Sequence, residues 1–538
     1  MQGTHSAGGA VSRGELVLDE GRRAFGRFTG FCGEMLLTGQ YPRALPGAVG
    51  HPGYFGAFAV VAAVCVAFDL LLPPKAALVV SGPIYLAWSL WLVRREAISA
   101  LLGLNPVVCY QLWQAGTLGA APLYIGLTYW TRPWVSFGDW PVPLEWVVYG
   151  HAIMVVGSCA FYAGMKRFQP CEFPDREAIA RAPSILAPVA AASLGVAVYI
   201  GRESVMKYAG STVVQLELLP LAALCMIALK PPRFLQLSHS AQFCVLVFGS
   251  FGLLVLNARY DSKMSLMFSF LPLVWWLVKR KRVGALLVVG TAITAFYLLV
   301  VAPLVTVMRV TMWRERARVV RTLTPVVTRE VAENLRRQLS ANPAAYLQQW
   351  LDATMHRMCD PVAAGIVAGL AEKKGFLLGR GLDYVPMALV PRALWPQKPF
   401  TDRGRHFTAA LGWAPNAAVA TTSTGQTSAG ELYWNFGWPG VVIGMYLLGA
   451  AVAGLWWGAA GSDPRRGLLQ MTVFLGATLS FVAGGGAAAG PMFTGSLASG
   501  LLWRAVIRLR ESLSNPSTRH IHLSGAPSVL SRHADSSL

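Results

Sequence analysis

The chain has 538 residues, of which 54% are hydrophobic and only 13% are charged, against about 25% charged residues in an average soluble domain. This composition excludes an ordinary soluble globular protein and indicates a helical protein that crosses a membrane several times. The net charge of +20 does not predict a nucleic-acid partner, because cytoplasmic loops of membrane proteins collect Lys and Arg.

The first 53 residues are predicted to be a cytoplasmic leader without a signal peptide, since the first apolar run begins only near Tyr54. Runs long enough to cross a hydrocarbon core of about 30 Å then recur along the chain. We predict an all-α polytopic fold with about nine transmembrane helices over 54–307 and two to three over 434–510. The predicted spans are 54–73, 76–93, 106–129, 144–165, 184–200, 211–229, 241–258, 264–278, 283–307, 436–457, 467–489 and 491–507.

Clusters of Lys and Arg in the short connections predict the orientation. With these spans, every cluster falls on one side, which the positive-inside rule assigns to the cytoplasm. Both termini are then cytoplasmic, 308–433 is a long periplasmic loop, and the polar tail over 511–538 is predicted to be disordered. The clusters include Arg94–Arg95, Lys166–Arg167, Lys230 with Arg233, Lys279–Arg282 and Arg465–Arg466.

The long loop is basic, with sixteen basic and nine acidic residues between Met308 and Glu431, a net charge of +7. One explanation is attraction to anionic lipid head groups. The other is a substrate with phosphates, held by guanidinium groups. Cys359 is the one cysteine of this loop, so neither a disulfide framework nor a metal site is predicted.

Two helical stretches are predicted at the start of the loop. Arg314–Arg337 has apolar residues near one face and arginines on the other, which indicates an amphipathic helix at the membrane surface. The second stretch, over 342–370, carries Arg357 and Asp360 three residues apart and therefore on one face. They form either an ion pair on a solvated helix or a substrate-binding Arg oriented by an Asp.

A proline-framed segment follows at Val390–Pro399, VPRALWPQKP, which cannot form a continuous helix. Arg392 and Lys398 lie on either side of Trp395. Two cations and an indole held rigidly suit a sugar bound through a phosphate, and they equally suit an interfacial anchor.

Small residues dominate the last part of the loop, where Arg403 and His406 precede the run TTSTGQTS over 421–428. This composition is typical of a mobile loop over a site. Glu431 stands just before the tenth predicted span. It is either a general base or an acid that the helix dipole favours.

Four segments of the chain together resemble the bacterial oligosaccharide repeat-unit polymerases, which are the Wzy-type O-antigen and exopolysaccharide polymerases. They are PRALWPQKP, the Ser/Thr/Gly run, GELYWNFGWPGVVIG and the earlier NARYDSKMSL. The resemblance is sharpest over 355–450. It implies a metal-independent, cofactor-free glycosyltransferase of the bacterial inner membrane that polymerises undecaprenyl-diphosphate-linked repeat units on the periplasmic face.

The resemblance also implies partners and site residues. The partners are the lipid-linked oligosaccharide, membrane lipids, a flippase and a chain-length regulator, with no nucleic acid. Glu431 is the candidate base that deprotonates the acceptor hydroxyl, with His406 and Asp360 in reserve. The candidates for binding diphosphate and glycan are Arg259, Lys263, Arg357, Arg392, Trp395, Lys398, Arg403 and Asn435.

Three rival functions remain open at this point. An O-antigen ligase shares the architecture and donor but passes the glycan to lipid A core or to a protein. A polyprenyl-phosphate-sugar glycosyltransferase generally has acids in its first outer loop, whereas Leu72–Lys75 has none. A polysaccharide transporter or flippase predicts ionisable residues inside the spans, where Asp69 and Glu217 are the main ones.

Overall fold

The structure is a computed structural model, and it describes twelve stretches of the chain together with a few single positions between them. Within these residues the chain is predominantly helical. The stretches are 52–99, 110–111, 113–128, 134–137, 140–168, 219–229, 238–258, 269–280, 283–297, 340–383, 403–420 and 425–459.

Long apolar runs give the first helices, and α4 follows a short hairpin without a connecting residue. The elements before the long loop are α1 (Pro52–Leu71), α2 (Pro74–Ser99), a π-helix (Ala115–Ala120) continuous with α3 (Ala121–Thr128), β1 (Trp134–Phe137), β2 (Trp140–Pro143), α4 (Leu144–Phe168), α5 (Leu219–Leu229), α6 (His239–Ala258), α7 (Leu271–Lys279) and α8 (Val283–Phe296). The elements from the predicted long loop onward are α9 (Pro343–Met358), α10 (Asp360–Lys374), α11 (Arg403–Ala410) and α12 (Ser428–Ala459).

Three of the described helices are long and apolar enough to cross a membrane, over Pro74–Val93, Leu144–Lys166 and Ser428–Ala453. They overlap the predicted spans 76–93, 144–165 and 436–457. A mostly helical chain with helices that could cross a membrane is therefore confirmed at this level. The number of twelve spans and their orientation stay predictions.

The connection between α3 and α4 contains a β-hairpin. Strands β1 and β2 pair antiparallel, with Val135 opposite Val142. Both valines are buried, while Trp134 remains partly exposed. The hairpin runs directly into Leu144, so it fixes where α4 begins.

Helix α4 is the centre of the main hydrophobic core, and glycines let two neighbours approach its backbone. A Cβ on Gly150 would lie 2.1 Å from the Pro361 carbonyl oxygen of α10. A Cβ on Gly164 would lie 2.0 Å from the Tyr446 carbonyl oxygen of α12. Close contact through small residues is the usual packing mode of helices in membranes. Smaller clusters of buried residues join α5, α6, α7 and α8.

Helix α12 is a helical hairpin, because it reverses direction at Gly437. The φ of +65° and ψ of −151° at Gly437 belong to a region that is essentially open to glycine alone. A straight helix would separate Ala429 from Met445 by about 24 Å. Yet a Cβ on Gly157 of α4 would lie 2.9 Å from Ala429 and 3.4 Å from Met445. The arms of this hairpin are 428–436 and 438–459, so only the second arm is by itself long enough to cross a hydrocarbon core of about 30 Å.

The helical stretch predicted over 342–370 is two helices, which corrects that prediction. Cys359, with φ −78° and ψ 78°, separates α9 from α10. The break has a local cause, since Pro361 donates no backbone N–H and its ring would clash, in a continuous helix, with the carbonyl four residues earlier. Arg357 and Asp360 therefore belong to different helices and do not share a helix face as predicted.

Candidate functional site

A buried carboxylate and a guanidinium group meet between α11 and the first arm of α12. The Nε atom of Arg403 lies 3.7 Å from Oε1 of Glu431, and the two side chains are 11% and 1% exposed. The Nη1 atom of Arg403 lies 4.0 Å from Oδ1 of Asp383, whose side chain is 63% exposed. The three groups form a charged row from the protein surface to the interior.

Asn435 holds the backbone around this row through both ends of its amide. Its Oδ1 accepts a hydrogen bond of 2.9 Å from the N–H of Gly381. Its Nδ2 donates one of 2.8 Å to the carbonyl of Glu431, one helical turn earlier. Position 381 must be glycine here, because a Cβ would lie 2.5 Å from the Asn435 amide.

The helix that carries Glu431 begins at a threonine cap. The hydroxyl of Thr427 accepts a 3.0 Å hydrogen bond from the N–H of Gly430, as an N-cap residue does. Thr427 has a φ of +59°, a left-handed conformation that is uncommon outside glycine. The first turn, and Glu431 within it, is thereby fixed. Positions 421–424 of the predicted mobile loop lie outside the described residues.

The turn between α10 and Asp383 closes the other end of the first arm. The N–H groups of Leu377 and Leu378 donate to the carbonyls of Trp434 and Asn435, at 2.9 and 3.0 Å. Those carbonyls end a helix and would otherwise have no partner there. The same turn therefore terminates the arm and brings Asp383 to Arg403.

Aromatic side chains pack around the reversal of α12. The hydroxyls of Tyr149 and Tyr433 lie 3.0 Å apart, and the Trp438 indole donates to Tyr149 at 3.1 Å. Phe376 packs edge-on against Tyr433, with ring centroids 5.8 Å apart. These rings attach both arms to α4, and so set the depth of Glu431 in the protein.

Asp360, the second carboxyl proposed from the sequence, occupies a different place. It is buried at the start of α10, and its Oδ2 accepts a 3.4 Å hydrogen bond from the indole of Trp113. Burial raises the pKa of Asp360 to about 7, because desolvation penalises the charged carboxylate. A carboxyl group that titrates near neutrality is suited to proton transfer.

The remaining predicted site residues divide into two groups. His406 is exposed on α11, and Trp395 is 37% exposed. Arg259, Lys263, Arg392 and Lys398 lie outside the described residues, as does the side chain of Arg357.

Sequence reasoning missed Asp383 and the structural role of Gly381. An acidic residue two positions after the Gly-Arg-Gly segment over 379–381 is the one signal for Asp383 in the sequence. The contact to Arg403 depends on α11, which is 20 residues further along the chain. Spacing gives no indication of such a contact.

The chemistry of the row follows from its charges. A carboxylate can accept a proton from a hydroxyl, and a guanidinium can bind an anionic oxygen. In this row the guanidinium of Arg403 lies between the exposed carboxylate of Asp383 and the buried carboxylate of Glu431. Among the described residues no group of three or more His, Cys, Asp and Glu side chains is placed to hold a metal ion. No family model, no curated protein and no solved structure matches the chain.

Proposed function

We propose that the protein is a membrane glycosyltransferase that polymerises lipid-linked oligosaccharide repeat units. The observation that carries this proposal is the row Asp383–Arg403–Glu431, a proton acceptor and a cation side by side at the end of a membrane-type helical hairpin. Support also comes from the resemblance of segments over 355–450 to repeat-unit polymerases.

The reaction joins two undecaprenyl-diphosphate-linked glycans. A hydroxyl at the non-reducing end of the incoming repeat unit attacks the anomeric carbon of the growing chain. The bond between that carbon and the diphosphate oxygen breaks, and undecaprenyl diphosphate leaves with the electron pair. Glu431 takes the proton of the attacking hydroxyl. A new glycosidic bond forms, and each proton and electron pair is accounted for.

Arg403 stabilises the charge that develops on the leaving diphosphate, the kind of electrostatic stabilisation that is often the largest contribution to catalysis. Arg392, Lys398, Arg259 and Lys263 are further candidate cations for the same diphosphate. Trp395, an exposed indole, is a candidate surface for a sugar ring. Asn435 acts by holding the backbone of Glu431 in place.

The site requires the architecture predicted from the sequence. About twelve spans lie in the bacterial inner membrane, both termini are cytoplasmic, and the loop over 308–433 faces the periplasm. The prenyl tail then stays in lipid while the glycan extends into water. A flippase that delivers repeat units and a chain-length regulator are the expected protein partners.

The test is to delete the gene and examine the surface glycan on a gel. We expect single repeats to remain attached to core or carrier while long chains disappear. Complementation with the wild type restores long chains. Glu431→Gln reduces chain extension by about 100-fold or more, the usual contribution of a general base, at unchanged protein abundance. The matched control is Glu333→Gln, which changes an exposed carboxylate that pairs with Arg329. We expect this variant to restore normal chains.

Other outcomes contradict the proposal. Loss of every attached repeat in the deletion strain identifies a ligase instead. A normal chain-length distribution in that strain excludes polymerisation altogether. Normal chains with Glu431→Gln remove Glu431 from the reaction.

A further inference from the structure

A histidine and an aspartate are paired in the helical core, away from the site described above. Nδ1 of His151 on α4 lies 2.6 Å from Oδ2 of Asp69 on α1. Nε2 of His151 lies 2.9 Å from the carbonyl oxygen of Leu118 in the π-helix. Both side chains are fully buried. Ionisable groups within membrane-type helices are costly and are seldom kept without a role.

These two distances determine the number of protons. A carbonyl oxygen can only accept a hydrogen bond, so Nε2 of His151 must carry a proton. The hydrogen bond between Nδ1 of His151 and Oδ2 of Asp69 also requires one proton, which is carried either by the nitrogen or by the oxygen. The pair therefore contains two protons. It is neutral overall as imidazole with carboxylic acid, and equally as imidazolium with carboxylate.

The surroundings favour an overall neutral pair. Oδ1 of Asp69 is buried and makes no hydrogen bond within the part of the chain that the structure describes. The nearest other ionisable group on α1 is Cys65, one turn earlier, whose thiol is directed at the carbonyl of Ser81 on α2. A net charge here would lack the hydrogen bonds that a buried charge requires.

We propose that Asp69 and His151 form a proton-binding site in the helical core, with one proton shared between them and one directed at Leu118. The site joins α1, α4 and the π-helix at a single point. His151 follows Tyr149 and Gly150, which contact α12 and α10. The shared proton thus fixes the rotation of the α4 turn on which those contacts depend. This inference does not rest on the proposed enzymatic function.

The first test compares two replacements of Asp69 in the full-length protein, by thermal unfolding in detergent. Asp69→Asn keeps the pair, because its amide can donate to Nδ1 while Nε2 still donates to Leu118. Asp69→Leu keeps the branched shape and the number of side-chain heavy atoms but leaves the imidazole without a partner. We expect the unfolding midpoint to fall by on the order of 5 °C or more for Asp69→Leu and clearly less for Asp69→Asn. Equal midpoints for the two variants overturn the proposal.

The second test observes the protons directly in the wild-type protein. Wild-type protein labelled with ¹⁵N-histidine is reconstituted in lipid and studied by solid-state NMR. The signals of His151 are assigned by their loss in His151→Gln. We expect Nε2 to be protonated and Nδ1 to be hydrogen-bonded to a carboxyl oxygen. An unprotonated Nε2 overturns the proposal, whatever the unfolding data show.

Discussion

At the residue scale, Glu431 is an almost completely buried carboxylate. The guanidinium of Arg403, itself only 11% exposed, lies beside it. A carboxylate would be expensive in such a position without that partner. The backbone of Glu431 is held independently by Asn435 and by the Thr427 cap. The position of Glu431 is therefore fixed by the fold itself.

The contact between Arg403 and Glu431 is expected to stabilise the fold measurably. In a double-mutant cycle with Arg403→Met and Glu431→Gln, we expect a coupling energy of about 0.5–3 kcal/mol from chemical unfolding. The matched control is the exposed pair Arg329 and Glu333, with Arg329→Met and Glu333→Gln, where we expect at most about 0.5 kcal/mol. Equal coupling in the two cycles contradicts a buried ion pair.

Asp360 is expected to make stability depend on pH. Its pKa is about 7 in the folded protein and 3.8 ordinarily, so the folded state binds its proton more tightly than the unfolded state. The contribution of its bound proton to the free energy of unfolding is complete below about pH 4 and is lost as the pH rises through 7. Asp360→Asn should therefore raise the unfolding midpoint at pH 8 more than at pH 5. A gain independent of pH would show that the carboxyl is not titrating.

At the element scale, the reversal of α12 is the feature that creates the site. Residues 428–436 would otherwise continue straight into 438–459 as one long span. Because Gly437 turns the chain, the start of the first arm lies against the middle of α4, beside Gly157. Glu431 is thus placed inside the helical core. A straight α12 would put it at the edge of the protein.

A cross-link across the two arms tests this geometry. A Cβ on Gly444 would lie 3.1 Å from Cγ of Leu432, whereas a straight helix separates these residues by about 18 Å. Leu432→Cys with Gly444→Cys should therefore form a disulfide on mild oxidation. The control combines Leu432→Cys with Ile443→Cys, since Ile443 is exposed on the outer side of its arm. Cross-linking of the control alone would contradict the hairpin.

At the scale of the whole molecule, one turn of α4 organises the polar groups of the core. Tyr149 contacts α12, Gly150 contacts α10, and His151 binds α1 and the π-helix. Three successive residues thus face three different neighbours. This requires a helix that is surrounded on every side, and the segment Leu144–Lys166 is almost entirely buried.

The orientation of the molecule is tested by labelling in intact cells. Gln397 is exposed in the predicted periplasmic loop, and Lys166 lies at the predicted cytoplasmic end of α4. A membrane-impermeant maleimide should label Gln397→Cys and not Lys166→Cys. Both variants also carry Cys244→Ser, because Cys244 is exposed. The reverse labelling pattern would place the site inside the cell and exclude a periplasmic reaction.

Apolar run length was sufficient to predict α2, α4 and α12, because a helix in lipid must satisfy its own backbone hydrogen bonds. The sequence also selected Arg403, Glu431 and Asn435, which the fold does bring together. Their common location could not be predicted, since it depends on the reversal at Gly437. The sequence suggests that reversal only as Gly-Trp-Pro inside an apolar run. Asp383 was missed because its contact with Arg403 also depends on the tertiary fold.

Composition and periodicity by themselves determined that this chain is helical, that it is suited to a membrane, and which polar residues are candidates for chemistry. These properties depend on hydrogen bonds within one helix and on the free energy of transferring its side chains out of water. Both can be read from a single segment of the chain. The tertiary structure decided that α12 folds back, that Glu431 lies beside Arg403, and that Asp69 is paired with His151. Such contacts join residues far apart in the chain, and only the packing of helices around α4 brings them within hydrogen-bonding distance.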